Sequence, residues 1–412
     1  MPHSIPYGRQ NITEEDIHAV IETLKSDYLT QGPKIAEFEE SFANYVNSKY
    51  AVAVANGTAA LHLCTLALGV KEGDKVITTP ITFAASANCV RYCGGEVVFE
   101  DIDPETYLLD INKVRQLLET SPKGTFKGII PVDFAGRAVD LEAYKKLADD
   151  YGLWIIEDAC HAPGGYFKDS QGKEQLCGNG KFADLAIFSF HPVKHIASGE
   201  GGMITTNDKF LYEKLLKLRT HGITKNSEEY KNSLEFAIGS PLGNPVRSSG
   251  ADVMSSGNDT YPNWYMEMQE LGYNYRLTDF QAALGISQLK RADEGLTKRR
   301  EIAGNYEMAF QEKDFIIGQS GVVEGHAYHL YVLEVENRLG LYNYLREHNI
   351  FAQIHYIPCH LMPYYKQFGW KEDDMPIAEK YYKQCISLPM FPTLTEAEQS
   401  FVIEKIIEFY DV

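Results

Sequence analysis

Lys194 is the residue in this chain whose setting best suits covalent chemistry. It stands in HPVKHIASGEGG, after the apolar run LAIFSF and before the tight Gly199-Glu200-Gly201-Gly202 turn. An amine placed between a strand and a glycine-rich turn can form an imine and move protons, provided that its surroundings draw its pKa toward neutrality. A lone lysine is more often a solvated surface residue, so the other strand ends have to decide.

In open α/β sheets ligands bind beyond the carboxyl ends of the strands. After LWIIE comes Asp158, in EDACHAPGG. A carboxylate there can keep a pyridine nitrogen protonated and make the ring an electron sink, or it can simply cap a turn. His161, in the same string, contacts such a ring or fills the turn. After AVAVA comes Asn56-Gly57-Thr58-Ala59, where a glycine turn opens a helix. Its free N–H groups and the Thr58 hydroxyl suit a phosphate, although a plain N-cap reads the same way. Ser189, before Lys194, is a second phosphate donor. Phe83, in TTPITFAASAN, can stack on a flat ring or pack in the core. These positions suit one flat, phosphorylated cofactor. There is no GxGxxG after a strand and no GxxxxGKS or GxxxxGKT, and Gly178-Asn179-Gly180-Lys181 is too short for a phosphate loop.

The elements that must position these residues alternate. AVAVA, KVITT, EVVF, GIIPVDF, LWIIED, LAIFSF and GMITT are short apolar runs separated by helix-like segments. Continuous apolar runs imply strands covered on both faces of a mostly parallel sheet. Residues 1–290 are therefore expected to form a large α/β domain, opened by a helix capped at Thr13. Residues 291–412 are expected to form a smaller α+β domain with strands in YHLYVLEV and FAQIHYI, a helix over Leu341 to His348 and a last helix from Glu396. The segment 225–263, rich in Asn, Ser, Gly and Pro, reads as a long surface loop, either a lid or interface element or a tolerated insertion.

Composition narrows the partners. Lys plus Arg number 39 against 57 Asp plus Glu, a formal charge of -18, which argues against a nucleic-acid or anionic-membrane surface. No apolar run is long enough to span a bilayer and MPHSIPYGRQ lacks a secretory stretch, so a cytoplasmic location is expected. Seven scattered cysteines without a CxxC pair read as reduced thiols. Cys359 and His360 beside His355 raise a zinc alternative, but no second ligand pair supports it, and no metal is expected.

Taken together, NGTAALHL, TTPITFAASAN, VDFAGRAVDL, EDACHA, SFHPVKHIASGEGG and LGYNYRLTDFQAALG resemble, in order and spacing, the DegT/DnrJ/EryC1/StrS sugar aminotransferases. The resemblance implies the type I fold of pyridoxal-5'-phosphate-dependent aminotransferases, with a mostly parallel seven-stranded sheet and a smaller α+β domain. It also implies a homodimer with shared active sites that moves an amino group from glutamate to a nucleotide-linked keto sugar. Carried over residue by residue, it makes Lys194 the imine-forming lysine, Asp158 the partner of the pyridine nitrogen and Phe83 the stacking ring. Thr58, Ala59 and Ser189 would hold the phosphate, and Asn274, with Arg276 beside it, would reach the neighbouring subunit's site. Sugar-nucleotide contacts would come from Thr30, Gln31, His329, His355, Tyr356 and His360. TTPITF, WYMEMQELGYNYRLTD and HYIPCHLMPYY are most similar to the pseudaminic acid branch, which aminates C4 of a UDP-linked 4-keto-6-deoxy N-acetyl sugar. Three rivals remain at this stage. They are an aminotransferase acting at C3 or C4 of a different dTDP- or GDP-linked keto sugar, a dehydratase, against which Lys194 argues because such relatives carry histidine there, and a cofactor-binding regulator without turnover.

Overall fold

The computed structural model describes residues 4–239 and 260–411. Each of the seven apolar runs becomes a strand of one sheet: β1 (Tyr50–Val54), β2 (Lys75–Thr78), β3 (Glu96–Phe99), β4 (Phe126–Ile130), β5 (Trp154–Asp158), β6 (Leu185–Ser189) and β7 (Gly202–Thr206). Their order across the sheet is β1-β7-β6-β5-β4-β2-β3. Only β7 runs antiparallel to its neighbours. Helices cover both faces, which is why the strands carry apolar side chains at successive positions rather than at alternate ones.

Helix α1 (Glu14–Leu24) starts at a capping box formed by Thr13 and Asp16. The same Asp16 carboxylate accepts from Gln288 Nε2 at 2.7 Å and from Arg291 Nη2 at 2.6 Å, tying α1 to the later chain. Helix α2 (Pro33–Val46) takes Pro33 in its first turn and ends on Asn47 in the left-handed region. Its Phe38 and Phe42 meet Phe188 of β6 and Phe190, with the Phe42 and Phe188 rings 4.8 Å apart. Removing one such ring from a packed core costs about 3–5 kcal/mol, so this cluster anchors the strand that leads to Lys194. Helix α3 (Gly57–Ala67) is buried along almost its whole length, as expected for a helix whose apolar residues surround it. Helix α4 (Ala85–Tyr92) follows Phe83.

After α5 (Asp279–Leu289) the helix α6 (Ala292–Phe310) joins two cores. Ala292 and Leu296 pack with Phe38 and Phe190, whereas Ile302, Tyr306 and Phe310 pack with Tyr331, Leu333 and Ile386. The passage from one core to the other, between Leu296 and Ile302, is thus made within a packed helix rather than a linker. Beyond it, β8 (Ile316–Gln319), β9 (Tyr331–Val335) and β10 (Cys385–Leu388) form an antiparallel sheet, and α7 (Glu396–Asp411) ends the chain.

Two sequence expectations are corrected. FAQIHYI is strand only at its first residue, within Ile350–Phe351, which pairs with Ile5–Pro6. The rest is extended chain bonded to Ser387 through Gln353, and it carries His355 and Tyr356 inward. In 225–263, residues 227–229 form a 3-10 turn and Leu234–Ile238 a short helix capped by Ser233. The flanking chain is held by Ile223–Thr224 pairing with Glu267–Met268. Residues 240–259 of that segment lie outside the described residues.

Under the sheet, Asp133, Glu157 and Cys177 gather their polar atoms within 4.8 Å of one another, all buried. Burial pushes the Asp133 carboxyl up to about 7 and raises Glu157 as well. The unfolded Asp releases its proton near 3.9, so between that pH and about 7 the folded chain holds more protons and loses stability as pH rises. Asp133→Asn keeps the oxygen that accepts from Val139 N at 2.8 Å and removes the titration. Its melting temperature relative to the parent should rise between about pH 5 and pH 8, and a flat or falling difference would contradict the buried acid.

Candidate functional site

The carboxyl ends of β1, β5 and β6 converge, and their following residues meet. Gly57, at the start of α3, lies against Ser189: a Cβ built on it would stand 3.1 Å from Ser189 Cβ and 3.5 Å from Cys160 Sγ. On the other side a Cβ on Gly202 would meet the Asn56 carbonyl carbon at 2.6 Å. Glycine is therefore needed at position 202 for β7 to close on α3, and at position 57 a Cβ would make a tight contact with β6. The Gly57 and Thr58 N–H groups at the helix start form a cradle for an anion. The Ala59 N–H, expected to join them, is instead taken by the Asn56 side chain at 2.8 Å. That bond is an N-cap, so in this state Ala59 is not a free donor.

Asp158 ends β5 with its side chain 5% exposed. Its Oδ2 accepts from Ser86 Oγ at 2.7 Å, Ser86 and Thr82 share a hydrogen bond of 2.7 Å, and Cys160 N donates to Oδ1 at 3.2 Å. Ser86 and Thr82 escaped the sequence reading. No local pattern pairs them with Asp158, because Ser86 lies 72 residues away along the chain. Phe83 itself is 63% exposed, which rules out the core-packing reading.

Lys194 is half-buried in the turn between β6 and β7, held by its N–H to the His191 carbonyl. Its Nζ lies 3.4 Å from His329 Nε2. Burial lowers the proton affinity of the amine, opposed in part by Cys160 and Asp158. Three imidazoles crowd the same space, with ring centres 4.2 Å apart for His161 and His329 and 5.9 Å for His195 and His329. Burial first, and the nearby Lys194 second, holds His161 and His329 well below the usual histidine range, so both are neutral. His161 Nδ1 accepts from Ala135 N at 3.2 Å, which leaves its Nε2–H for the Tyr356 hydroxyl at 3.3 Å. Tyr356 in turn faces Phe83, ring centres 6.4 Å apart. Phe83, Tyr356, His161, His329 and Lys194 thus form one continuous wall.

The remaining sequence candidates fall into three groups. His355 is buried beside this wall, its Nδ1 2.9 Å from Ser387 Oγ and its ring 5.2 Å from Tyr7. Thr30 and Gln31 are exposed on a loop fixed by Asp279, which accepts from Gly32 N at 2.8 Å and Lys34 N at 3.0 Å. Asn274 is exposed and Arg276 half-buried on a segment that runs along the end of β1 through Val54. His360 does not join any of them. It is fully buried against Phe99 and Trp370 and bonded to Glu379 at 3.0 Å, while Cys359 is bonded to Thr82, so neither faces the wall. A cavity of about 730 Å³ between α1, α2 and α5, lined by His18, Lys34 and Arg291, is separate from the wall. A smaller one of about 170 Å³ has Lys194, His195 and Arg9 on its lining.

The DegT/DnrJ/EryC1/StrS aminotransferase family model matches residues 10–407, nearly the whole chain. The chain belongs to that family. It is 39% identical to the spore coat polysaccharide biosynthesis protein SpsC of Bacillus subtilis over 413 aligned positions, covering 98% of this chain and 96% of SpsC. It is 33% identical to the UDP-4-amino-4,6-dideoxy-N-acetyl-beta-L-altrosamine transaminase of Campylobacter jejuni, covering 99% and 98%. Among solved structures it superposes on Helicobacter pylori PseC, an aminotransferase of pseudaminic acid biosynthesis, with a TM-score of 0.82, 28% identity and coverage of 99% and 100%. The fold is that of the pyridoxal-phosphate aminotransferases, and the chain is an enzyme of that class with pyridoxal 5'-phosphate as its cofactor.

The residues present suit that group. The Gly57 cradle leaves room that a larger side chain would fill, Phe83 offers an uncovered ring face, and Asp158 presents a buried carboxylate. Gly57→Val would push Ser189 and Cys160 apart and narrow the cradle. The apo chain should then bind pyridoxal phosphate at least about tenfold more weakly, a loss of roughly 1.4 kcal/mol, by equilibrium titration with the far-ultraviolet circular dichroism unchanged. Unaltered affinity would put the phosphate elsewhere.

Proposed function

We propose that this chain transfers an amino group from glutamate to C4 of a UDP-linked 4-keto-6-deoxy-N-acetyl sugar, as a homodimer with shared active sites. The observation that carries the reading is the meeting of Lys194 with neutral His329 and His161 beside the strand end that bears Asp158. The likeness to the Campylobacter altrosamine transaminase and to PseC supports the sugar class.

In this reading Lys194 would hold the cofactor, Asp158 would answer its ring nitrogen, Phe83 would cover its face, and Thr58 and Ser189 would bind its phosphate. When bound, pyridoxal phosphate supplies a protonated pyridine ring that spreads negative charge from the substrate carbon. Lys194 Nζ, whose affinity for a proton burial lowers, would take the proton from that carbon and return it at the end of the amino transfer. Asp158 Oδ1 and Oδ2, oriented by Cys160 N and Ser86, keep a proton on the ring nitrogen. Tyr356 and His161 close one side of the wall and exclude water.

A second copy of the chain is supported by the exposed apolar residues of one arm. Trp264 is 70% and Leu271 74% exposed, just before exposed Asn274. Large exposed apolar patches of this kind mark interfaces. Asn274 then serves the neighbouring site, with Arg276 behind it. Thr30, Gln31 and His355 are the proposed sugar-nucleotide contacts.

Lys194→Ala should lose at least about a hundredfold in turnover, and borohydride should no longer fix the cofactor to the chain. Retained turnover or continued covalent trapping would remove the assignment. The substrate is tested by incubating the loaded enzyme with glutamate and a set of nucleotide-linked 3-keto and 4-keto sugars, with products identified by NMR. Amination of a 3-keto sugar alone would overturn the C4 reading.

A further inference from the structure

Arg299 is the one lysine or arginine among the described residues that is buried, 1% exposed in the middle of α6. Buried arginines are normally paired with carboxylates. This one has no ion-pair partner among the described residues, and its Nε finds no acceptor. Its Nη1 instead donates to three carbonyl oxygens, of Tyr328 at 3.1 Å, His329 at 3.3 Å and Met390 at 3.0 Å. The first two belong to the turn that delivers His329 to Lys194.

That turn is crowded and strained. Tyr328 holds a φ of 46°, a left-handed conformation costly for an aromatic residue. A Cβ on Gly136 would stand 2.7 Å from Tyr328 N and 2.9 Å from His329 N, so the turn after β4 is pressed against the same backbone. Ala327 N and Leu330 N donate to the carbonyls of Gly136 and Ala135 on either side. The guanidinium thus closes the one face of the turn that the large domain does not clamp.

We propose that Arg299 is a positioning residue for the reaction, acting on Lys194 through the Tyr328–His329 backbone and through its own uncompensated charge. The inference rests on the assignment of Lys194 given above. Lys194 is faced by Asp158 and Cys160 from the end of β5, by His161 from the following turn, by His195 beside it, by His329 before β9, by His355 from the extended chain after residue 351 and by Arg299 from α6. The histidines are neutral and the carboxylate of Asp158 favours the ammonium. Arg299 is the fixed positive charge that opposes Asp158 and favours the free amine.

Two variants separate the charge from the clamp. Arg299→Gln can still donate to the carbonyls but carries no charge, whereas Arg299→Lys keeps the charge without the planar fork. In the apo chain, the pH at half-maximal acylation of Lys194, followed by peptide mass spectrometry, should rise in Arg299→Gln and stay unchanged in Arg299→Lys. In the loaded enzyme Arg299→Lys should lower kcat at least about tenfold with KM nearly constant, because His329 is no longer held. An unshifted midpoint in a folded Arg299→Gln chain overturns the charge effect. If Arg299→Gln does not fold, Arg299→Lys decides alone: a raised midpoint, or kcat equal to the parent's, overturns the proposal. A wrong assignment of Lys194 would show itself differently, as covalent trapping of the cofactor by Lys194→Ala.

Discussion

The site depends on drawing a lysine amine out of water, which lowers its affinity for a proton. An ammonium is strongly hydrated, and removing it from water disfavours the charged form. The chain meets that demand by surrounding Lys194 with imidazoles that are themselves neutral because they are buried. The arrangement is mutual: each cationic neighbour would raise the cost of charging the next, so the group as a whole stays uncharged except where Asp158 draws a proton toward it. His329 is central to this because its Nε2 lies 3.4 Å from the amine. A carboxylate in its place would form an ion pair and hold the lysine as ammonium, useless as a base.

Holding these groups together requires a scaffold in which backbone approaches backbone. Gly202 against Asn56 and Gly136 against Tyr328 and His329 leave no space for a Cβ, and Gly57 against Ser189 leaves little. Each joins two strand ends or two domains at the rim of the sheet. The single antiparallel strand, β7, is what brings Gly202 back to the start of α3, since a parallel strand would have ended at the same rim and continued away from it. The glycine turn after Lys194 therefore serves the sheet topology as much as the lysine.

Much of this was legible in the sequence. Seven continuous apolar runs became seven strands because burial on both faces leaves no room for polar alternation, and Lys194, Asp158 and Phe83 were found by looking just past those runs. The failures share a cause. FAQIHYI is apolar enough for a strand, but its pairing partner is limited to Ile5–Pro6, and tertiary contacts of His355 and Tyr356 took the remainder. His360 has the side chain of a ligand and sits one residue from Cys359, yet its burial against Glu379 depends on a helix nearly twenty residues further on. Ser86, Thr82 and Arg299 act through contacts that no local pattern reveals. Only the fold shows that a serine on one strand crossover faces the carboxylate of another.

Glu157 and Asp158 show how far the local pattern does reach. Adjacent residues in a strand point to opposite faces, so two neighbouring carboxylates at the end of β5 cannot share a task. Asp158 turns to Ser86 and the site, whereas Glu157 turns inward to Asp133 and accepts from Gly178 N. Burial raises both carboxyls, and the charge of Asp133 beside it raises Glu157 further, so the inner pair shares protons instead of carrying two charges. Asp133 Oδ1 accepts from Val139 N and so fixes the turn that contains Gly136. That turn presses on the backbone of Tyr328 and His329. The inward carboxyl therefore has a consequence at the site without touching it: it braces, through one turn, the imidazole that lies against the lysine.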